Sequence, residues 1–222
     1  TQRFGELVAL DLLPGTDRGA LARLMRLWTG DVAALTEGRP APGDTAPELA
    51  SGNTDLTITV GWGTGVFARP GLAGARPPGL AEIPPMRHDE LEERWSGGDL
   101  LLHVGAGDGT TVAHAVRRLV SDAAPFARLR WRQHGFWNGF DAEGRAVTGR
   151  NLFGQVDGSA NPRPGTAVFD ETAWAREPRW FAGGTTLVVR RIRMNLTTWD
   201  ELTRHEQEAA IGRRLSDGGP LT

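Results

Sequence analysis

The order of hydrophobic patterns in the first 134 residues limits the fold of this chain more than any other feature. Four short runs are apolar or alternate in the manner of strands, and two longer runs repeat apolar residues at helical spacing. In chain order they predict strand, helix, strand, strand, helix and strand over residues 8–13, 18–35, 56–60, 100–104, 110–120 and 127–132. This βαββαβ order is the ferredoxin-like arrangement. We therefore predict an α+β fold, with a ferredoxin-like domain over residues 1–137.

Residues 138–222 predict only the beginning of a second unit of the same kind. A loop rich in glycine and proline comes first, followed by a predicted strand over 185–194 and a predicted helix over 199–214. A strand and a helix are the first two elements of another βαβ unit. We therefore predict a second domain over 138–222 that contains an incomplete second ferredoxin-like half.

Composition and charge exclude several functional classes. The chain has no cysteine, so disulfides, iron–sulfur clusters, thiolate metal sites and cysteine nucleophiles are all excluded. A net charge of −2 gives no electrostatic argument for nucleic acid or an anionic membrane. No apolar run approaches the roughly 18 residues of a membrane span. The first residues, TQRFGELVAL, contain no visible signal peptide, but a mature secreted form would look the same. We favour a secreted or extracytoplasmic location over a cytoplasmic one.

The histidines give no metal site. None of the five stands at a metal-ligand spacing such as HxxxH, and no carboxylate cluster accompanies them. We expect structural or solvated roles for most of them: His88, His103, His114, His134 and His205.

The loop from Arg150 to Gly165, RNLFGQVDGSANPRPG, contains a single acidic residue, Asp157, which is a candidate for acid–base chemistry. Its glycines and prolines exclude a regular helix or a central strand. Asp157 would lie in a tight turn beside the apolar residues Leu152, Phe153 and Val156. Apolar surroundings raise the pKa of a carboxyl group, which would make Asp157 an acid–base group near neutral pH. The alternative is that its side chain hydrogen-bonds the backbone of its own turn, as Asp-Gly pairs commonly do.

A second glycine-rich stretch, Gly105-Ala106-Gly107-Asp108-Gly109, lies between a predicted strand and a predicted helix. That context is typical of nucleotide-binding sites, in particular those of S-adenosylmethionine methyltransferases. Such a site also needs an acidic residue at the end of the next strand. The next predicted strand ends in Arg132-Gln133 instead. We therefore favour a plain strand-to-helix turn.

The sequence Gly154-Gln155-Val156-Asp157-Gly158, preceded by NLF and followed by SANP, resembles the GxxDG signature of the dye-decolorizing peroxidases, which are haem enzymes. The resemblance extends over nearly the whole chain, in blocks at 55–63, 96–101, 186–195 and 206–214. The family has two ferredoxin-like halves and belongs to the dimeric α+β barrel superfamily. The resemblance therefore implies the same fold for this chain.

The resemblance also implies a chemistry. It predicts haem b as the cofactor, hydrogen peroxide as the oxidant, and dyes, phenols or other aromatic compounds as electron donors. Asp157 would be the distal acid–base residue. The backbone of Gly158, Ser159 and Ala160 would approach the haem edge, and Arg213 would pair with a haem propionate. The alternative for Arg213 is a simple cation at a helix C-terminus.

Electron transfer to surface substrates would use tryptophan here, because the chain has no tyrosine. Trp131, Trp137 and Trp180 are the candidates, with ordinary packing as the alternative for each.

The family's proximal histidine and distal arginine correspond to positions beyond residue 222, and His205 does not match the ligand position. We therefore expect a C-terminal segment or a second chain to complete the site. Two alternatives stay open: a non-catalytic ferredoxin-like module that binds haem or dimerises, and the release of iron from haem. A homo-oligomer is compatible with either.

Overall fold

The computed structural model describes residues 2–52, 55–145 and 147–221. The chain divides into two compact units, residues 2–136 and residues 137–222. The first unit contains every strand of the described residues. Its elements are β1 (Phe4–Leu12), α1 (Arg18–Thr36), β2 (Thr57–Trp62), α2 (Thr64–Phe67), β3 (Leu100–Ala106), α3 (Gly109–Ala123) and β4 (Ala127–Phe136).

The four strands form one antiparallel sheet in the order β2-β3-β1-β4. Alternate residues of β1 and β3 point towards α1 and α3, because side chains alternate between the two faces of a sheet. The core is formed by Val8, Leu10, Leu102 and Val104 from the strands, with Leu24, Trp28, Val116 and Leu119 from the helices. The predicted ferredoxin-like α+β fold is confirmed.

Both long helices begin at an aspartate that caps the first turn. The Asp17 side chain accepts a hydrogen bond from the backbone N–H of Ala20 at 2.7 Å, and Asp108 accepts one from Thr111 at 2.9 Å. Such a cap satisfies donors that a helix start otherwise leaves unpaired. The glycine-rich stretch before α3 is thus a strand-to-helix turn whose helix start is capped by the chain's own carboxylate.

A buried group of charges joins α1 to α3. The Arg118 guanidinium donates to Asp31 at 3.0 Å and to Asp122 at 2.6 Å, and both carboxyl groups are buried. Burial raises the pKa of Asp122 to about 7, helped by the hydrogen bond and the charge of Asp31, although Arg118 acts in the opposite direction. The helix pair therefore contains two carboxyl groups around one cation.

In its described residues the second unit contains three short α-helices, α4 (Ala167–Ala173), α5 (Leu196–Asp200) and α6 (Arg204–Ile211). Among the described residues, every fully buried hydrophobic side chain belongs to the first unit. The described residues of the second unit that are fully buried are glycines: Gly139, Gly149 and Gly218. Hydrogen bonds and turns, more than an apolar core, therefore hold this unit together.

The strand predicted over 185–194 is wrong. These residues form no helix and pair with no strand in the described part of the chain, and Leu187, Val188 and Ile192 are exposed. A strand requires a neighbour that accepts and donates its backbone hydrogen bonds, and apolar content alone does not supply one.

The single helix predicted over 199–214 is wrong too. Thr203 and Glu206 form a capping box, so a new helix begins there after α5 has ended. The helix α6 ends at Gly212, which has a φ of +75°.

Within the described residues no helix combines the length and the apolar character needed to cross a membrane.

Candidate functional site

The second unit contains a pocket of about 340 Å³. One wall comes from residues 151–161 and the other from residues 211–218. All five residues that the resemblance indicates line it: Asp157, Gly158, Ser159, Ala160 and Arg213. The structure therefore brings together residues that lie more than 50 positions apart in the sequence.

A small β-bridge shapes the first wall. Arg150 and Val156 face each other across it. The backbone N–H of Asp157 donates to the Gly149 carbonyl at 2.9 Å, and that of Asn151 donates to the Gln155 carbonyl at 3.0 Å. Because side chains alternate along paired backbone, Asn151, Gln155 and Asp157 share one side and Arg150 and Val156 the other.

The Asp157 carboxylate is exposed and accepts no hydrogen bond from any described residue. The predicted apolar surroundings are therefore wrong. Leu152 is exposed at the tip of the turn, and Phe153 stacks on Trp199 with 4.5 Å between the ring centroids. The alternative, in which Asp157 caps its own turn, is not what the structure contains either. The carboxylate is instead available to whatever enters the pocket.

Arg213 approaches the pocket from the second wall. Its Nη1 donates to the Gly218 carbonyl at 2.7 Å, and the side chain is half-buried. Because α6 already ends at Gly212, Arg213 lies past the helix end in an isolated bridge with Pro220. One N–H group of the guanidinium is thus held by backbone, and a guanidinium carries four further N–H donors.

Arg150, which the sequence reasoning did not identify as a site residue, connects the two walls. Its Nη1 donates to the carbonyls of Gly154 at 2.7 Å and Leu215 at 2.6 Å, and its Nη2 donates to that of Ser216 at 2.9 Å. The backbone N–H of Arg150 donates to Asn138 Oδ1 at 2.9 Å. Its position at the start of the RNLFGQVDG block was the one available signal.

Gln155 was also missed as a site residue. Asn151 Oδ1 accepts hydrogen bonds from the backbone N–H groups of Phe153 and Gln155, at 3.0 and 3.3 Å. Asn151 Nδ2 then donates to Gln155 Oε1 at 3.2 Å. The Gln155 Nε2 atom is buried and has no hydrogen-bond partner among the described residues. The signal was a polar residue between Gly154 and Val156, two positions before Asp157.

The candidate tryptophans have different surroundings. Trp131 is buried in the first unit, and its Nε1 donates to the Gly97 carbonyl at 2.9 Å, which is a packing role. Trp137 lies against Gly149, the backbone partner of Asp157. Trp180 is 60% exposed and packs on its neighbour Phe181. Their use as electron relays stays a prediction.

The histidines give no metal centre in the described part of the chain, where no group of three or more His, Cys, Asp or Glu side chains could hold a metal ion. His114 is buried and contacts Asp44 at 2.8 Å, a structural pair. His205 is exposed on α6 and does not line the pocket. The proximal histidine expected beyond residue 222 stays a prediction.

Comparison with known proteins gives one family over both units. Residues 1–137 match the N-terminal domain of the Dyp-type peroxidases, and residues 148–222 match their C-terminal domain. A dye-decolorizing peroxidase of Thermobifida fusca is 40% identical over 98% of this chain and 54% of its own length. A deferrochelatase of Yersinia pestis is 35% identical over 97% of this chain and 53% of its own length.

A solved structure is similar as well. The DyP-type peroxidase of Cellulomonas bogoriensis is 46% identical, with a TM-score of 0.92 over 100% of this chain and 62% of that one. The chain spans about half the length of the curated relatives that it matches. Its GxxDG loop, its fold and these matches agree, and the chain belongs to the Dyp-type peroxidase family.

Proposed function

We propose that this chain is part of a haem-dependent peroxidase that uses hydrogen peroxide to oxidise dyes, phenols or other bulky aromatic donors. In this proposal Asp157 is the distal acid–base residue. The observation that carries it is the Asp157 carboxylate, which faces the pocket without a hydrogen bond to any described residue. A carboxylate held by its own turn would have to give up those bonds before it could take a proton.

The donors in the pocket fit the carboxylate groups of haem b. Arg213 supplies a guanidinium, which suits a carboxylate because it can donate two parallel hydrogen bonds. The buried Gln155 Nε2 is a second donor in need of an acceptor. Gly158 has a φ of +82°, and a Cβ atom there would stand 2.9 Å from Asn161 Nδ2, so the loop in this conformation requires glycine. We propose that Gly158, Ser159, Ala160 and Arg213 hold the cofactor.

When bound, haem supplies the iron and the redox chemistry of the reaction. The chain supplies the carboxylate that moves a proton. The Asp157 carboxylate takes a proton from one oxygen of hydrogen peroxide and delivers it to the other, which makes the second oxygen a better leaving group. Acid–base catalysis of this kind typically contributes about 10²- to 10⁴-fold to a rate. The proximal histidine and the distal arginine would come from a segment or chain outside these 222 residues.

The first test is an absorption spectrum of the purified protein, with the segment or chain that supplies the proximal histidine present and haemin added, before and after one equivalent of peroxide. We expect a Soret band that peroxide changes, and peroxide-dependent bleaching of an anthraquinone dye. Asp157→Asn should lower the peroxide reaction about 100-fold or more and leave the haemin spectrum intact. Asp170→Asn, a change at an exposed aspartate of α4, is the matched control. A folded protein that takes up no haemin would contradict the proposal for this chain.

Release of iron from haem is the second candidate, because relatives at 35% identity are deferrochelatases. The two activities leave different products. Iron release leaves an intact metal-free porphyrin, which fluoresces, whereas peroxidase turnover leaves an oxidised dye. Porphyrin fluorescence that rises without dye bleaching would favour the second candidate.

A further inference from the structure

One donor of the Gln155 side chain has no acceptor among the described residues. The Gln155 side chain lines the pocket, and its Nε2 atom is buried with no hydrogen-bond partner in the part of the chain that the structure describes. Buried polar groups are nearly always paired, because an unpaired one keeps the cost of losing its water. The other end of the same amide is satisfied by Asn151 at 3.2 Å.

The direction of the Gln155 amide follows from its neighbours. Asn151 Oδ1 accepts two backbone N–H groups, so this atom must be the oxygen and the Asn151 nitrogen must point the other way. That nitrogen is a donor, and it faces the Gln155 atom assigned as Oε1. Turning the Gln155 amide around would place two donors against each other. The backbone of the turn therefore fixes Nε2 as the atom left over for a ligand.

The groups around Gln155 Nε2 indicate which kind of ligand group would accept its hydrogen bond. Gln155 and Asp157 lie on the same side of the bridged backbone, about 7 Å apart along the chain. Arg213 lines the same pocket and is also a donor. Two donors from opposite walls fit a ligand group with two acceptor oxygens that carries negative charge. A carboxylate has these properties and makes the stronger, charge-assisted hydrogen bonds.

We propose that Gln155 is a further cofactor-binding residue, whose Nε2 donates a hydrogen bond to a carboxylate oxygen of the bound tetrapyrrole. This inference rests on the proposed function, because it requires haem in the pocket. Asn151 then acts as a positioning residue, since it orients the amide and does not itself donate to the ligand. The turn sequence Asn151-Leu152-Phe153-Gly154-Gln155 would thus serve both the fold and the cofactor.

The first experiment needs no cofactor. Gln155→Met removes the amide and keeps the approximate size and shape of the side chain. We expect its midpoint of urea unfolding to fall by less than that of the control below, because removal of an unpaired buried donor offsets the lost hydrogen bond from Asn151. Gln207→Met is the matched control in the same unit, since Gln207 Nε2 does have an acceptor, the Trp199 carbonyl at 2.9 Å. The control should lower the midpoint. A loss in Gln155→Met as large as that in the control would contradict an unpaired donor.

The second experiment titrates the wild type, Gln155→Met and Gln155→Glu with haemin and with haemin dimethyl ester. We expect Gln155→Met to weaken haemin binding about tenfold, the effect of one hydrogen bond to a charged group. Gln155→Glu should weaken haemin binding further, because two carboxylates would then face each other. With haemin dimethyl ester, whose carboxylates are neutralised, most of this further weakening should disappear. Gln207→Met should bind haemin as the wild type does.

The outcomes separate this inference from the proposed function. If the wild type binds haemin and Gln155→Met binds it equally well, the role of Gln155 is wrong and the proposed function stands. If Gln155→Glu weakens the binding of haemin and the binding of its ester by the same factor, the acceptor is not a carboxylate and the inference is likewise wrong. If the wild type binds neither compound, both proposals fail.

Discussion

Gly218 lies so close to Val156 that a Cβ atom on Gly218 would stand 2.9 Å from the Cβ atom of Val156. Gly218 is buried and has a φ of +73°. Val156 precedes Asp157, and Gly218 accepts the hydrogen bond from Arg213. The two walls of the pocket therefore meet at Gly218 and Val156. A shift of Gly218 would also move Asp157, through Val156, or Arg213, through its hydrogen bond.

Replacing Gly218 with alanine should damage the pocket. The new methyl group would collide with Val156, and the positive φ is unfavourable for alanine. We expect Gly218→Ala to lower the free energy of unfolding by about 2–4 kcal/mol, as measured by urea titration. Gly165→Ala is the matched control, because Gly165 has a φ of +83° but nothing within 4 Å of the added atom. The control should lose only about 1 kcal/mol. Equal losses in the two variants would show that the contact with Val156 is unimportant.

Arg150 should maintain the pocket through hydrogen bonds that no other residue type reproduces. Arg150→Ala removes the links to Leu215 and Ser216, so we expect weaker haemin binding, by about tenfold, in an absorbance titration. Arg150→Lys should recover only part of the loss, because an ammonium group cannot span two carbonyls in a fork. Added guanidinium should restore binding to Arg150→Ala but not to Arg150→Lys. Arg163→Ala, at an exposed position outside the pocket, is the control. Unchanged binding in Arg150→Ala would contradict the role.

The stability of the first unit should fall as the pH rises towards neutrality because of Asp122. Its pKa in the folded protein is about 7, well above the ordinary value of 3.8, so the folded state holds a proton that the unfolded state has lost. The resulting stabilisation is complete below about pH 3.8 and is lost as the pH rises through 7. We expect the difference in unfolding midpoint between pH 5 and pH 8 to shrink in Asp122→Asn. The exposed variant Asp170→Asn should keep the wild-type difference, and an identical pH dependence in Asp122→Asn would refute the assignment.

The Trp199 side chain should stabilise the loop that contains Asp157 through its contacts with Phe153. Its ring stacks on Phe153, and its Nε1 donates to the Phe153 carbonyl at 3.2 Å. Trp199→Phe keeps the stacking and should lose about 1 kcal/mol of unfolding free energy, whereas Trp199→Ala should lose about 3 kcal/mol. Trp180→Phe, a change at an exposed ring, should have little effect. A Trp199→Ala variant as stable as Trp199→Phe would show that the stacking does not matter.

Local patterns predicted the first unit well because each of its elements has its own signal. The runs around Val8 and Leu102 have strand lengths, and the apolar residues of α1 recur at helical spacing, so each could be identified separately. The general rules for connections between consecutive elements then limited the topology to a small number of arrangements. The capping residues Asp17 and Asp108 also lie next to the helices that they begin.

The second unit was less predictable because its structure depends on partners far away in the sequence. The run Leu187-Val188-Val189 has the composition of a strand, but a strand also needs a neighbour, and composition does not supply one. Leu152 and Phe153 are adjacent to Asp157 in sequence, yet the turn at Gly154 and the stacking on Trp199 direct them elsewhere. Sequence distance is a poor measure of distance around a turn.

The sequence alone determined the ferredoxin-like unit, the family and the identity of the residues in the GxxDG loop, because these depend on local periodicity and on a contiguous motif. Only the tertiary structure decided which groups surround the pocket. Arg150 reaches Leu215 across 65 positions, and Val156 meets Gly218 across 62. Such contacts arise from the path of the chain in space, so no local pattern encodes them. The exposure of Asp157 and the unpaired amide of Gln155 are consequences of that path.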